Sequence, residues 1–260
     1  MMESLEGVRM ENNLVKSPEP AQVMDIPIHL CEDYPGWLLH QLRQGQGAHV
    51  VTLNAEMTMQ ARENPALAQV IRQADLVIPD GSGVVLYLQW QGYQIQRFPG
   101  IELAETLLCR MGELSSPEED SRGAFFYGGE PGVAQDAAQM WQQQCPDLKI
   151  SGVQHGYLSE AEEQNLLATL KEKQPYLIYV GLGVPRQELW IAQHRSLCPG
   201  SIWIGVGGSF DIWAGRKDRA PAWLRDRNLE WVYRLYQEPS RWRRMLALPR
   251  FAWLSLTQSF

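Results

Sequence analysis

Residues 175–208 read PYLIYVGLGVPRQELWIAQHRSLCPGSIWIGVGG, and this stretch decides the fold. YLIYVGL and SIWIGVGG are continuously apolar runs, which is typical of parallel strands that are buried on both faces. RQELWIAQH, between them, has the length and polarity pattern of an amphipathic helix. The order of strand, helix and strand therefore predicts a βαβ unit.

The same alternation extends back along the chain to His49. The predicted strands are HVVTLN, DLVIPD, GAFFYGG and LKISGVQ, and the predicted helices are ALAQVIRQ, ELAETLLCRM, VAQDAAQMWQQ and EEQNLLATLKE. This rhythm predicts an α/β fold with a doubly wound, mostly parallel, Rossmann-like sheet. The polar segment SSPEEDSRG is predicted to be a surface loop.

Composition and charge predict three parts of the chain. Residues 1–22 are polar without a period and are interpreted as a flexible lead-in, residues 23–215 as the α/β domain, and residues 216–260 as a helical appendage. The appendage holds ten Lys/Arg and four Asp/Glu, a net charge of +6, so the rest of the chain, whose total is −7, carries −13. Pro221 is predicted in the first turn of a helix that Pro239 ends.

The appendage mixes its arginines with Trp242, Trp253 and other large apolar residues. This composition is typical of an interfacial segment on an anionic membrane surface, and a solvated helical face is the alternative. No run reaches the roughly 20 apolar residues of a membrane-spanning helix, and the first residues do not resemble a secretory signal. The four cysteines form no CxxC pair, which predicts no zinc site and a reducing cytoplasm.

Ligands of open α/β sheets bind beyond the carboxyl ends of the strands. Glycines at such ends let backbone amides approach phosphates, so their repetition indicates a nucleotide-type ligand, although a tight turn would explain each pair taken alone. No GxGxxG follows the first strand and no GxxxxGK[ST] is present, which argues against a dehydrogenase and a P-loop NTPase. The residues in question are Thr52, Asn54, Asp80, Gly81, Gly128, Gly129, Gly181, Gly183, Arg186, Gln187, Gly207, Gly208 and Ser209.

Asp80 is the candidate general base, since it follows an apolar strand and precedes Gly81-Ser82-Gly83. An N-cap of the next helix explains it equally well. His155 and Asp211 also follow strands, and a loop or turn role is favoured for both. No second acid suggests a glycosidase pair, and no GxSxG elbow is present.

Three arginines of the appendage are candidates for binding a diphosphate, because guanidinium groups bind phosphate with two parallel hydrogen bonds. Arg241 and Arg244 are three residues apart and are expected on one helical face, and Arg234 comes from the preceding helix. Salt bridges to the acidic body would explain these arginines as well.

Eight segments resemble, in the same order, the motifs of the WecG/TagA/CpsF glycosyltransferases, from about Met24 to the end of the chain. They are VVTLNAE, DLVIPDGSGVV, RFPGIEL, FFYGGEPGVA, VQHGY, VGLGVPRQELWI, IGVGGSFDIWAGRKDRAPAWL and LEWVYRLYQEPSRWRR. The resemblance implies an inverting transferase that needs neither metal nor cofactor. It would move a sugar from a UDP-sugar to a polyprenyl-diphosphate-linked sugar in teichoic acid, common antigen, capsule or exopolysaccharide synthesis.

The resemblance further implies an N-acetylmannosamine-type, hexose or uronic acid donor. It implies a cytoplasmic protein, peripheral on the inner face of the membrane through its appendage, and self-association is left open. No nucleic-acid partner is expected, because the body is acidic. A non-catalytic UDP-sugar-binding or membrane-docking module is the alternative function.

The resemblance also assigns roles to residues. Asp80 matches the family's proposed general base, Thr52 and Asn54 its TxN motif, and Gln187 the glutamine of its PxQE motif. The appendage arginines that are expected to close over the diphosphates are Arg234, Arg241 and Arg244, and Arg97 of RFPGIEL completes the substrate-binding candidates. Ala55, Ser82 and Arg186 stand where family members commonly have a proline, an apolar residue and a lysine. The donor specificity of any one family member should therefore not be transferred to this chain.

Overall fold

The computed structural model describes residues 16–111, 122–227 and 229–257. Eight strands lie in these ranges: β1 Glu19–Val23, β2 Ile26–Leu30, β3 Ala48–Leu53, β4 Leu76–Pro79, β5 Ala124–Gly128, β6 Ile150–Gln154, β7 Leu177–Gly181 and β8 Ile202–Gly205. Strands β1 and β2 form an antiparallel hairpin, and the other six form one sheet in the order β4-β3-β8-β7-β5-β6. All five pairings in that sheet are parallel, which confirms the predicted fold class.

The helices of the body are α1 Tyr34–Arg43, α2 Ala55–Glu63, α3 Pro65–Arg72, α4 Ser82–Trp90, α5 Gly100–Arg110, α6 Val133–Gln144, α7 Glu160–Lys173, α8 Arg186–His194 and α9 Ser209–Trp213. Those of the appendage are α10 Ala222–Arg225, α11 Glu230–Gln237, α12 Trp242–Met245 and α13 Ala247–Thr257. Short 3-10 turns at Arg195–Leu197 and Pro239–Arg241 follow α8 and α11. Each strand and helix predicted between His49 and Gly208 is present.

The helices cover both faces of the sheet because strand side chains alternate between the faces. On β7, Leu177 and Tyr179 belong to a core formed with α1, α5, α6 and α9. Ile178 and Val180 point to the other face, where α7 and α8 pack. A third core joins the hairpin, α2, α3 and α4 on that second face, beside β3 and β4. The carboxyl edge of the sheet is left for the loops and the appendage.

The β1–β2 hairpin is a feature that the sequence did not predict, and its first strand begins inside the predicted lead-in. Its turn residues, Met24 and Asp25, have φ values of +48° and +67°, and Met-Asp lacks the Asn-Gly type of signal for such a turn. His29 Nδ1 accepts a 2.9 Å hydrogen bond from the backbone N–H of Val77, so the hairpin covers the edge strand β4. Residues 1–15 of the lead-in and most of the predicted surface loop, 115–121, lie outside the described residues.

Between Pro221 and Pro239, the appendage has two helices, α10 and α11, where the sequence predicts one. Pro221 immediately precedes the short helix α10, and α11 then ends at Gln237 before Pro239, as predicted. The α13 side chain of Phe251 is 4% exposed and packs edge-on against Tyr87, with 6.1 Å between ring centroids. The appendage is therefore docked on α2 and α4 of the body.

Two of the four cysteines, which are far apart in sequence, meet in the fold. Cys109 of α5 and Cys145 after α6 form a disulfide, whereas Cys198 is buried and Cys31 is half-buried. No helix in the described ranges combines the length and the apolar character needed to cross a bilayer.

Candidate active site

The site residues gather where the carboxyl ends of β3 and β4 meet helix α11 of the appendage. A pocket of about 110 Å³ lies there, lined by residues that include Asn54, Asp80, Arg97, Arg234 and Arg241. The body supplies the first three residues and the appendage supplies the two others. The appendage is thus a wall of the site.

Asp80 is held in place at this pocket by the start of another helix. Its Oδ1 accepts a 2.9 Å hydrogen bond from the backbone N–H of Gly100, the first residue of α5. Helix α4, which follows Asp80 in the chain, has Gly81 as its N-cap and no side-chain cap. The carboxylate therefore caps α5. The N-cap alternative predicted that it would cap α4, the next helix in the chain, and this is not the case. Its Oδ2 accepts no hydrogen bond from any residue that the structure describes.

Arg97, Glu230 and Arg234 form an ion-pair cluster beside Asp80. Arg97 Nη2 donates to Glu230 Oε2 at 2.6 Å, and Arg97 Nε donates to the backbone carbonyl of Asp80 at 2.7 Å. Arg234 Nε donates to Glu230 Oε1 at 3.0 Å. The Glu230 side chain is 7% exposed and joins the first turn of α11 to the body.

Desolvation and the neighbouring positive charges act on the pKa of Asp80 in opposite directions. Desolvation raises the pKa of Asp80 above its usual value, while the positive charges of Arg97 and Arg234 and the Gly100 N–H act to lower it. Glu230 adds to the increase by like-charge repulsion. Burial would also raise the pKa of Glu230, but Arg234 and Arg97 outweigh it and lower that pKa to about 2. Of the two carboxylates, Asp80 is the better proton acceptor.

Asn54 lines the Asp80 pocket, and Thr52 packs behind it against Gly100. Asn54 is the N-cap of α2, and its Oδ1 accepts a 3.0 Å hydrogen bond from Met57 N. Gly81 packs directly on it, since a Cβ at Gly81 would lie 2.7 Å from the Cβ of Asn54. Thr52 is 9% exposed and packs beneath Gly100, whose N–H holds Asp80. These residues position the pocket through capping and close packing.

Gln187 lies in a buried network next to the pocket and is only 2% exposed. Its Oε1 accepts hydrogen bonds from Gly183 N at 3.0 Å and Gly207 N at 3.1 Å, which ties together the loops after β7 and β8. Its Nε2 donates to Glu188 Oε1 at 3.0 Å, and Glu188 Oε2 lies 3.0 Å from His49 Nε2. Gln187 therefore shapes these loops from within.

A second cleft, of about 380 Å³, lies at the carboxyl ends of β5 and β7. Gly129 N donates to Gly181 O at 3.1 Å, and Gly128 has φ +136° with no space for a Cβ, which would lie 2.4 Å from the same oxygen. Only glycine fits there. The walls of this cleft carry Arg186, Arg216 and Lys217.

A crevice joins the two clefts along the sheet edge. It is lined by residues that include Gly208, Ser209, Lys217, Arg234 and Arg241. Glu238 binds both Lys217 and Arg241, so one carboxylate links the first residues of the appendage to the 3-10 turn after α11. Four of the predicted glycines line these three adjoining depressions: Gly81, Gly129, Gly181 and Gly208. Of the three predicted arginines, Arg234 and Arg241 line them. Gly128, Gly183 and Gly207 are not among the lining residues.

Arg244 is separate from the other two arginines. It binds Glu56 of α2 at 2.5 Å, which is the salt bridge to the acidic body that the alternative describes. Arg241, in the preceding 3-10 turn, faces Glu238 instead, so the two residues do not act on one partner.

His155 and Asp211 have the local roles that were favoured for them. His155 Nδ1 accepts a 3.3 Å hydrogen bond from Tyr157 N within its own loop. Asp211 pairs with Lys217 at 2.9 Å beside the glycine cleft.

Sequence reasoning missed four residues of this region: His49, Glu188, Lys217 and Glu230. Glu188 and His49 are 139 residues apart, and a buried pair at that distance leaves no local signal. Glu230 resembles an ordinary first-turn acid of a helix. Lys217 lies in the quoted segment GRKDRAP, where only the fold shows that it faces the glycine cleft.

A parallel sheet with a poised carboxylate, an arginine cluster and a glycine-lined cleft at its carboxyl edge is typical of enzymes that transfer a group from a phosphorylated donor. The chain belongs to the Glycosyl transferase WecG/TagA/CpsF family, whose model matches residues 21–260. This finding confirms the resemblance seen in the sequence and the prediction of a glycosyltransferase.

Two relatives carry the same descriptive name, N-acetylglucosaminyldiphosphoundecaprenol N-acetyl-beta-D-mannosaminyltransferase. The chain is 35% identical to the protein of Bacillus spizizenii (strain ATCC 23059 / NRRL B-14472 / W23) over 211 residues, which are 81% of this chain and 79% of that protein. It is 33% identical to the protein of Bacillus subtilis (strain 168) over 215 residues, which are 82% of this chain and 80% of that protein.

Proposed function

We propose that this glycosyltransferase moves N-acetylmannosamine, or a closely similar sugar, from a UDP-sugar to a polyprenyl-diphosphate-linked N-acetylglucosamine in cell-surface polysaccharide synthesis. The names of the two relatives support the acceptor and the transferred sugar. The observation that carries the proposal is Asp80, a carboxylate with one fixed oxygen and one oxygen left to face a pocket lined by arginines.

In the proposed reaction, Asp80 accepts the proton of the acceptor hydroxyl. The hydroxyl oxygen forms a bond to the anomeric carbon of the donor sugar while the bond from that carbon to the UDP oxygen breaks. A single displacement of this kind inverts the anomeric configuration. The raised pKa of Asp80 supports this role, because a general base is most effective when its pKa is nearer to the operating pH.

The donor diphosphate is proposed to lie in the glycine-lined cleft and the crevice next to it. The backbone amide of Gly208, the amino group of Lys217 and the guanidinium group of Arg186 are the cationic or donor groups along it. Such groups stabilise the negative charge that develops on the departing UDP. The reaction is proposed to need no divalent metal, since these cations stand where a metal would otherwise act.

The acceptor diphosphate is proposed to bind at Arg234 and Arg241, next to Asp80. The Arg234 side chain is 45% exposed and lines the Asp80 pocket from the appendage side. A phosphate there would compete with Glu230 and Glu238 for these arginines.

The appendage is proposed to dock on the cytoplasmic face of the membrane. Large apolar side chains are exposed on it beside its net positive charge, and this combination favours an anionic lipid surface. They are Trp223, Trp231, Val232, Tyr236, Trp242, Leu246, Trp253 and Leu256.

The test is a transfer assay with the purified full-length protein, a panel of UDP-sugars and a farnesyl-diphosphate-linked N-acetylglucosamine, with EDTA present. UDP release and the mass of the lipid product are followed together. We expect one new glycolipid, with UDP-N-acetylmannosamine as the preferred donor. Binding of UDP-sugars without any product across the panel would contradict the proposal and favour a non-catalytic module.

A further inference from the structure

An apolar groove opens from the Asp80 pocket toward the outer face of the appendage. Helix α4 forms one wall and helix α13 the other, and its volume is about 620 Å³. Leu86 and Trp90 of α4 and Ala252 and Leu256 of α13 line it, and Arg227 lies at its rim. Leu86, Trp90 and Leu256 are each more than half exposed, so the groove is lined by apolar surface that the described chain leaves uncovered.

The groove and the Asp80 pocket share part of their walls. Ala55, Ser82, Gly83, Trp231 and Leu248 line both of them. One end of this depression carries the Asp80 carboxylate and three arginines, and the other end is almost entirely hydrophobic. The depression therefore changes from charged to apolar along its length. A diphosphate ester with a hydrocarbon tail changes in the same way from one end to the other.

We propose that this groove binds the first isoprene units of the polyprenyl chain of the acceptor. The inference rests on the proposed function, which places the diphosphate and the sugar at Asp80, Arg234 and Arg241. A hydrocarbon chain attached to that diphosphate has to leave the pocket, and the groove is an apolar exit that begins at the pocket itself. Burial of the hydrocarbon of the first isoprene units is favourable, so the groove selects acceptors by their lipid.

Continuity with the polar pocket favours the polyprenyl chain over a phospholipid acyl chain or a second copy of this protein. Neither of those occupants needs a diphosphate-binding end next to the groove. Two contacts hold the walls of the groove in place: Phe251 of α13 packs on Tyr87 of α4, and Arg244 forms an ion pair with Glu56 beside them. The groove is therefore formed by this chain alone, without a second protein. The occupant that matches both ends of the depression is the acceptor.

Photo-crosslinking tests the location without any turnover. The full-length protein in detergent-free buffer is irradiated with a farnesyl diphosphate analogue that carries a benzophenone on its hydrocarbon end, and labelled peptides are identified by mass spectrometry. We expect labels in residues 82–90 and 247–257, and competition by unlabelled farnesyl diphosphate. Labels confined to other parts of the chain would overturn the proposal, whatever the transferase assay shows.

A pair of matched variants tests the contribution to catalysis. Ala252→Trp fills the groove, whereas Thr257→Trp adds the same side chain to the exposed part of α13 outside it. We expect Ala252→Trp to raise KM for the farnesyl acceptor at least about tenfold, which corresponds to about 1.4 kcal/mol. A second acceptor carries a methyl group in place of the farnesyl chain on the diphosphate. The kcat/KM of Ala252→Trp for this methyl acceptor, and its affinity for UDP, should stay at the wild-type values. Thr257→Trp should behave as wild type in all of these measurements.

Other outcomes assign the groove differently. Equal KM values of the wild-type enzyme for farnesyl and methyl acceptors would overturn the proposal. So would equal effects of the two tryptophan variants, which would indicate a general membrane contact of α13. Conversion of a wild-type dimer into a monomer by Ala252→Trp alone, in analytical ultracentrifugation, would assign the groove to a second copy of the chain.

Discussion

At the scale of single residues, the chemistry depends on how two neighbouring carboxylates differ. Glu230 receives hydrogen bonds from two arginines and stays ionised with a pKa of about 2. Asp80 is half-buried, receives one backbone N–H, and has a raised pKa. Environments that separate the pKa values of two acids also separate their roles, so Asp80 is suited to accept a proton and Glu230 to hold the appendage.

Glu230→Gln tests this division of roles through the pH dependence of kcat/KM. With Asp80 as the proposed base, activity requires its ionised form, so the rate should fall as the pH falls through the pKa of Asp80. The substitution removes a negative charge that raises this pKa and leaves Arg97 and Arg234 less neutralised. We expect the acid limb of the profile to move to lower pH.

The control for this prediction is circular dichroism across the same pH range, since Glu230 also joins α11 to the body. An acid limb that stays in place, or one that moves to higher pH while the fold persists, would contradict the assignment of Asp80 as the base.

At the scale of helices and strands, local signals predicted most of the fold. Continuous apolar runs marked β7 and β8, and the amphipathic run of residues 186–194 coincides with α8. Helices α2 and α4 were not predicted. Their sequences, AEMTMQARE and SGVVLYLQW, follow strands directly, and α4 is too uniformly apolar to show a 3.6-residue period.

The candidate site was predictable only in part, for a physical reason. Residues after strands are brought together by any parallel sheet, so Asp80, Asn54 and the glycines could be found from their positions in the sequence. The partners of those residues come from distant segments. Arg97 and Glu230 are 133 residues apart, and their pairing depends on how α11 docks.

Docking of α13 is expected to depend on Phe251. Its side chain is buried between α2 and α4, and replacing a buried Phe by Ala typically costs about 3–5 kcal/mol. We expect Phe251→Ala to release α13 while the sheet stays folded. Hydrogen exchange should then increase in residues 247–257 and remain unchanged in β7 and β8.

The control is Trp253→Ala on the same helix, where the side chain is 68% exposed and contributes little to docking. If Phe251→Ala left the exchange of α13 as slow as that of Trp253→Ala, the helix would be held mainly by the ion pairs that Arg244 of α12 and Arg250 of α13 form with α2.

At the scale of the whole molecule, charge and apolar surface are distributed unequally. Residues 1–215 carry a net charge of −13 and residues 216–260 a net charge of +6. The exposed tryptophans of the appendage lie with this positive charge, whereas the body repels an anionic surface. In the proposed docking, this distribution would orient the molecule with its appendage toward the membrane.

Vesicle binding tests this orientation. Arg243 stacks on Trp242, with its guanidinium carbon 5.5 Å from the ring centroid. A basic residue near an anionic surface contributes about 1 kcal/mol, so Arg243→Ala should weaken binding to vesicles rich in phosphatidylglycerol about fivefold. Arg72→Ala, on helix α3 of the body, is the matched control and should bind as wild type. Equal losses in both variants, or binding that does not depend on salt, would contradict docking through the appendage.

The most direct test of the central claim is the rate of sugar transfer by Asp80→Asn in a single turnover on the lipid-linked acceptor. Removing a general base typically lowers the rate by about 10²–10⁴-fold. Asp33→Asn is the matched control, because Asp33 caps α1 away from the site and Asn caps as well.

If the account is right, Asp80→Asn loses transfer by at least about a hundredfold while it binds UDP as wild type does, and Asp33→Asn keeps wild-type transfer. An Asp80→Asn enzyme that transfers the sugar at the wild-type rate would contradict the account.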